Sequence, residues 1–172
     1  KPDFSTNQND SLQFLYIKKQ LAGEDVFFVI NQQNIEQHRV CFLKTNYKSV
    51  QILYPENGRT EKSLLYVVDE GTIQMPYSFG PYESVIFVCS GKYEQQHYIA
   101  VETEGRKLFP SSNYDKGIPK VITCQGKEIF LSDEKGKYLF TDNKNNRIEK
   151  DIRVAERFAV LPKDGVVTFK PY

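Results

Sequence analysis

MPYSFGPYESVIFVCS, residues 75–90, is the stretch whose reading decides the fold. Met75, Tyr77 and Phe79 alternate with Pro76, Ser78 and Gly80, and a period of two is the signature of a strand with one face buried. Gly80 and Pro81 then supply a bend. Val85-Ile86-Phe87-Val88-Cys89 follows without a polar interruption, which predicts a strand buried on both faces. Such a strand needs packed partners on each side, so the neighbouring segments must provide stacked sheets.

Working outward from there, the preceding residues meet that demand. Leu12 to Lys19 reads as a strand, Ala22-Gly23-Glu24 as a turn, and Val26-Phe27-Phe28-Val29-Ile30 as a central strand, the two strands forming a hairpin. Asn31 to Asn34 is a polar loop. His38 to Lys44 alternates, Val50 to Tyr54 is a further strand, and Pro55-Glu56-Asn57-Gly58 is turn chemistry before a strand at Leu64 to Val68. Asp69-Glu70-Gly71 turns the chain into Thr72 to Phe79. About seven short strands at regular spacing predict an antiparallel β-sandwich.

Beyond Gly91 and Lys92 the composition shifts toward Lys, Asn and Asp. Tyr98 to Thr103 reads as a strand and Lys107 to Gly117 as a long loop. Val121 to Cys124, Glu128 to Leu131, Tyr138 to Thr141, Arg147 to Val154 and Val166 to Phe169 read as further strands, with turns at Gly126, Gly136, the Asp142 to Asn146 run and Asp164-Gly165. The expected organisation is all-β, two consecutive antiparallel β-sandwich-like modules, 1–90 and 91–172, packed against each other.

Composition narrows the function classes. Lys and Arg number 23 against 22 Asp and Glu, a net charge of +1, so there is no global field to draw nucleic acid or an anionic membrane. No segment approaches the roughly 20 consecutive apolar residues of a membrane-spanning helix. The opening KPDFSTNQND lacks the basic head, apolar middle and cleavage site of a signal peptide, the expectation being a cytosolic protein or an internal piece of a longer one. Cys41, Cys89 and Cys124 form no CxxC, and the first two fall in strand-like runs, where buried free thiols are expected rather than a bridge.

The chemical inventory predicts no catalytic residue, no metal site and no cofactor. His38 and His97 lie outside GxSxG and HExxH contexts. His38 reads as solvent-facing. Asp69-Glu70 and Asp133-Glu134 sit in turns and lack the opposed geometry of a glycosidase pair. No acid is embedded in an apolar strand end that would raise its pKa, so the stacked sheets are expected to leave no cleft furnished for chemistry. The Asp142 to Asn146 run fails the calcium-loop pattern, because Arg147 stands where the sixth-position Gly belongs and Arg153 where the bidentate acid belongs. Tyr47, Tyr54, Tyr66, Tyr82, Tyr93 and Tyr114 fall at strand ends or in loops. Exposed rings among them could stack on a sugar, and Tyr47, Tyr54 and Tyr82 are the candidates. The alternative is that each ring packs into a core edge with its hydroxyl wet.

Five blocks occur in an order that resembles a known family. They are Pro2-Asp3-Phe4, Tyr16-Ile17-Lys18-Lys19, Phe27-Phe28-Val29-Ile30-Asn31, Leu53-Tyr54-Pro55-Glu56-Asn57-Gly58 and Pro81-Tyr82-Glu83-Ser84-Val85-Ile86-Phe87-Val88. Together they resemble the β-sandwich that follows the catalytic barrel in glycoside hydrolase family 106, enzymes of the α-L-rhamnosidase type. Lys107-Leu108-Phe109-Pro110 and the Gly165 to Pro171 end are more loosely similar to the β segment that comes next there. The departures are Lys18-Lys19 for His-Arg, Leu53-Tyr54 for Trp-Asp, and Val166-Val167 for Pro-Trp. The resemblance implies an accessory, non-catalytic region of a periplasmic or secreted hydrolase whose catalytic acids lie outside this chain. Its implied partners are the neighbouring domains of the parent, with carbohydrate as the alternative partner.

Overall fold

The computed structural model describes residues 2–8, 12–110, 117–124 and 126–153, Cys124 as backbone only, together with two short strands after Arg153. Its described residues are all-β, with strands numbered here in chain order and no helix among them. The largest sheet contains β2 (Phe14–Leu21), β3 (Glu24–Asn31), β5 (Ser49–Tyr54), β6 (Arg59–Ser63), β9 (Ser84–Ser90), β12 (Lys120–Cys124) and β13 (Lys127–Leu131). Its spatial order is β13-β12-β6-β5-β9-β3-β2. A second sheet runs β1-β4-β8-β7, from β1 (Phe4–Thr6), β4 (Gln37–Lys44), β7 (Val67–Asp69) and β8 (Thr72–Phe79). A third runs β11-β10-β14-β15, from β10 (Tyr98–Thr103), β11 (Arg106–Phe109), β14 (Gly136–Asp142) and β15 (Arg147–Ile152). The remaining pair is β16 (Phe158–Val160) with β17 (Val167–Phe169).

Two cores separate these layers. The first is filled by Phe14, Phe27 and Val29 with Val50, Ile52, Val85 and Phe87 from the large sheet, facing Cys41, Leu43, Ile73, Met75, Tyr77 and Phe79 from the second. Phe79 meets Phe14, Tyr77 and Phe87 at tilted or edge-on angles, the arrangement that ring quadrupoles favour. The second core joins Val40, Leu64 and Leu65 to Tyr98, Val101, Phe109, Tyr138 and Phe140. Val40 and Cys41, adjacent on β4, thus point into different cores, and the second sheet is covered on both sides.

Both halves of residues 75–90 are strands, β8 and β9, and β2 and β3 form the expected hairpin, with Leu21 opposite Glu24. The bend between β8 and β9 is held from several directions. Glu83 accepts a bond from the Gly80 N–H at 2.7 Å, and the buried Asn31 amide donates to the Gly80 carbonyl at 2.8 Å. Cys41 and Cys89 are buried free thiols, as expected; burial pushes the Cys89 thiol far above its ordinary range.

Several expectations are corrected. Val85 to Cys89 buries one face only: Val85, Phe87 and Cys89 are fully covered while Ile86 and Val88 are half-buried. Leu64 to Val68 is not a single strand: only its last two residues, Val67 and Val68, belong to one, β7. The chain pairs as β6 just before it, then crosses between layers, where Leu64 and Leu65 enter the second core and Tyr66 the first. Lys107 to Phe109 is not loop but belongs to β11, because Phe109 is a wholly buried core residue. His38 is not solvent-facing: its side chain is 13% exposed and its Nδ1 lies 2.7 Å from the Ser78 hydroxyl across the β4–β8 ladder. β9 ends at Ser90, and ladder bonds join strands before that point to strands after it. Ile122 and Thr123 of β12 pair with Ser63 and Lys62 of β6, and the Tyr66 and Tyr98 N–H groups donate to Tyr98 and Leu64 carbonyls.

A polar cleft at the open end of the first core

The turn Pro55 to Gly58 folds β6 back on β5 so that Glu61 stands opposite Ile52. Ile52 points into the first core, and Glu61 therefore points inward too, as does Ser63 two residues on. Charged and small polar groups at these positions cannot close the sandwich as apolar ones would. The sheets part there around a cleft of about 670 Å³ lined by Tyr54, Arg59, Glu61, Tyr77, Glu83 and Lys120 among others. The expectation that no cleft is furnished for chemistry is thus corrected, and inward-facing charge on β6 is the cause.

Glu61, only 6% exposed, organises the cleft. Its Oε2 accepts from the Tyr54 hydroxyl at 2.8 Å and from Lys120 Nζ at 2.5 Å, while Oε1 lies 3.2 Å from Arg59 Nη2. Lys120 also donates to the Tyr54 hydroxyl at 2.8 Å. The Arg59 guanidinium stacks 4.2 Å from the Tyr54 ring centroid. On the other wall the Tyr77 hydroxyl donates to Glu83 Oε1 at 2.9 Å.

Burial raises the pKa of Tyr54, with the Lys120 ammonium opposing it. Burial likewise lifts Tyr77 well above its ordinary value, assisted by Tyr54 and Glu83. Burial by itself would lower Lys120, but the Tyr54 hydroxyl and the Glu61 carboxylate outweigh it and leave the ammonium above its usual range. Glu83 is raised by burial, against the Gly80 N–H that favours its charged form. The result is a network in which the Glu61 carboxylate is shared between two cations and Glu83 caps a turn.

The three candidate tyrosines do not form one platform. Tyr47 precedes β5 and packs half-buried against the first core, whereas Tyr54 stands at the far end of that strand, which is itself about 17 Å long at ~3.3 Å per residue. Tyr82 lies in the bend beside the cleft and is 62% exposed. Tyr54 faces the cleft but its ring is overlaid by Arg59, so its open face is lost to stacking. Tyr66 is fully buried, Tyr93 is exposed, and Tyr114 lies outside the described residues. Arg59, Glu61, Tyr77, Glu83 and Lys120 escaped sequence reasoning. The signal for Glu61 was the Pro55 to Gly58 turn, whose hairpin register sets it opposite Ile52.

Asp69 ends β7 with Glu70 in the turn after it, Asp133-Glu134 lie in the bend between β13 and β14, and Asp142 caps the β14–β15 hairpin by accepting from the Lys144 and Asn146 N–H groups at 2.9 and 2.8 Å. The Asn146 side chain, its strongest stabiliser, holds the Asp142 carboxyl below the ordinary range. Among the described residues no group of three or more His, Cys, Asp or Glu is arranged to hold a metal ion.

No family model matches the chain, and no curated protein matches it. Among solved structures the chain is similar to a rhamnosidase from Novosphingobium sp. PP1Y, at 16% identity and a TM-score of 0.49 over 81% of this chain. The match spans 15% of that protein.

Proposed function

We propose that this chain is a non-catalytic β region of a larger glycoside hydrolase of the α-L-rhamnosidase type, and that it braces neighbouring domains. The observation that carries the reading is the state of the cleft. Its two most enclosed acids are already spent, Glu61 on Tyr54, Arg59 and Lys120, and Glu83 on Tyr77 and the Gly80 turn. A retaining or inverting glycosidase needs one acid free to protonate the leaving oxygen and a second free to attack or activate water. The five sequence blocks from Pro2 to Val88 support the parent class.

Two measurements test this reading. An antiserum against the chain should detect a polypeptide far larger than 20.0 kDa in extracts of the source cells, and the isolated chain should leave an aryl α-L-rhamnoside intact. A reacting band at the size of the chain itself, or steady hydrolysis by it, overturns the proposal.

Carbohydrate binding is the second reading, favoured by the cleft volume, which is in the range of ligand pockets, and by the exposed Tyr82 beside it. Titration with rhamnose-containing and other plant and microbial oligosaccharides, followed by tyrosine fluorescence, checks it. Loss of a response in Tyr82→Ala would support it, and a flat response in the parent chain would end it.

A further inference from the structure

Over β2, β3, β9 and β5 the outer face of the large sheet is an apolar surface left partly open, whereas at β12 and β13 the same face packs Val121 and Phe130 into the second core. The register aligns Ile17, Phe28, Ile86 and Leu53 in one row across β2, β3, β9 and β5. Leu15 and Ile30 stand in the row on one side, Val26 and Val88 in the row on the other. Their alternate neighbours Phe27, Val29, Val85 and Phe87 are fully buried in the first core, so these rows face away from it. Leu15 is 54% and Ile17 67% exposed.

The outer face of the third sheet is a contrast within the same molecule. There Lys137 pairs with Glu149 at 3.6 Å and Arg147 with Glu102 at 3.5 Å, side chains suited to water. On β2, β3, β9 and β5 the rows just described hold a single charge, Lys19, and the adjoining row holds one acid, Glu24. This face accepts an apolar surface, with one charge of each sign, Lys19 and Glu24, near its margin.

Its size discriminates between occupants. Four strands at ~4.8 Å spacing and about six residues at ~3.3 Å give roughly 400 Å². A two-fold pair of chains joined through it would bury about 800 Å², below the roughly 1,200 Å² at which stable interfaces begin. A domain tethered on the same polypeptide is held at millimolar effective concentration and needs no such area. We infer that the face formed by Leu15, Ile17, Phe28, Ile30, Ile86 and Val88 is the seat of a neighbouring domain of the same polypeptide, one that presents an apolar surface. The inference rests on the proposed membership in a larger protein and specifies which surface does the bracing.

The test places a cysteine at Ile17→Cys and, as a control on the ion-paired face, at Lys137→Cys, and follows maleimide labelling in the isolated chain and in the full polypeptide. In the isolated chain both label rapidly and sedimentation finds a monomer. In the full polypeptide the Ile17→Cys thiol is slowed about tenfold or more while Lys137→Cys is unchanged. Equal labelling of Ile17→Cys in the two forms overturns the inference. So does slowing at both positions, or a dimer of the isolated chain that Phe28→Lys or Val88→Lys dissociates. If the full polypeptide proves no larger than this chain, it is the proposed function that fails; a larger one with Ile17→Cys still reactive defeats the docking inference alone.

Discussion

The His97 ring lies flat on that of Tyr66, centroids 4.0 Å apart and planes 2° from parallel. Tyr66 is fully buried and donates its hydroxyl to the Lys48 carbonyl at 3.1 Å, while His97 Nδ1 sits 2.8 Å from the Gln95 carbonyl and so carries its proton there. The stack ties the crossing segment after β6 to the entry of β10. Burial lowers the His97 pKa below its ordinary 6.5, against the Gln95 carbonyl and nearby acids that favour the cation.

The pH dependence follows from that direction. As pH falls through 6.5 the unfolded chain takes up a proton at His97 that the folded chain refuses until lower pH. The unfolded state then binds more protons, so this contribution to stability is full above pH 6.5 and declines below it. Urea midpoints at pH 7.5, 6 and 5 should fall less steeply in His97→Gln than in the parent, about three values that span the titration. An NMR titration midpoint for His97 above the ordinary value would contradict the burial argument.

Removing Glu61 should be the costliest change in the cleft. Glu61→Ala strands Lys120 and Arg59 facing each other; breaking a buried pair costs about 3–5 kcal/mol, and the partial exposure of both cations reduces this to about 2–3 kcal/mol. Tyr54→Phe, which removes only the bridging hydroxyl, should cost about 1 kcal/mol. Urea unfolding of Glu61→Gln, Lys120→Met and the double variant should give a coupling above ~0.5 kcal/mol. Strict additivity would show that the pair is not the organising contact.

One turn can be improved. Glu104 and Gly105 join β10 to β11 with φ of 49° and 74°, both in the left-handed region that a two-residue hairpin turn requires. Asn adopts that backbone more readily than Glu. Glu104→Asn should therefore stabilise by about 0.5–1 kcal/mol, read as a rise of about 1–4 °C in Tm. A fall in Tm would mean that the exposed Glu104 side chain holds a contact worth more than the backbone relief.

Alternation made β8 legible, and β3 and β9 were legible as uninterrupted apolar runs, although each buries only one face. The same rule missed β6: Arg59-Thr60-Glu61-Lys62-Ser63 contains no apolar residue, and only its pairing with β5 and β12 makes it a strand. Leu64 to Val68 misled in the opposite way, since a run that crosses between two cores is as apolar as a strand buried on both faces. The cleft was illegible for the same reason as β6. Its parts come from residues 54–61, 77–83 and 120, and nothing local in the chain announces that they meet.

The pairing of β12 with β6 also has a consequence for how the protein is made. As the chain leaves the ribosome, β5 and β6 emerge early, yet Lys62 waits for Thr123 before its outer edge is satisfied. Through that interval β6 presents an unpaired edge beside Leu64 and Leu65, whose own cover also comes from later residues. The charges of Arg59, Glu61 and Lys62 are what keep that edge from recruiting another nascent chain in the meantime.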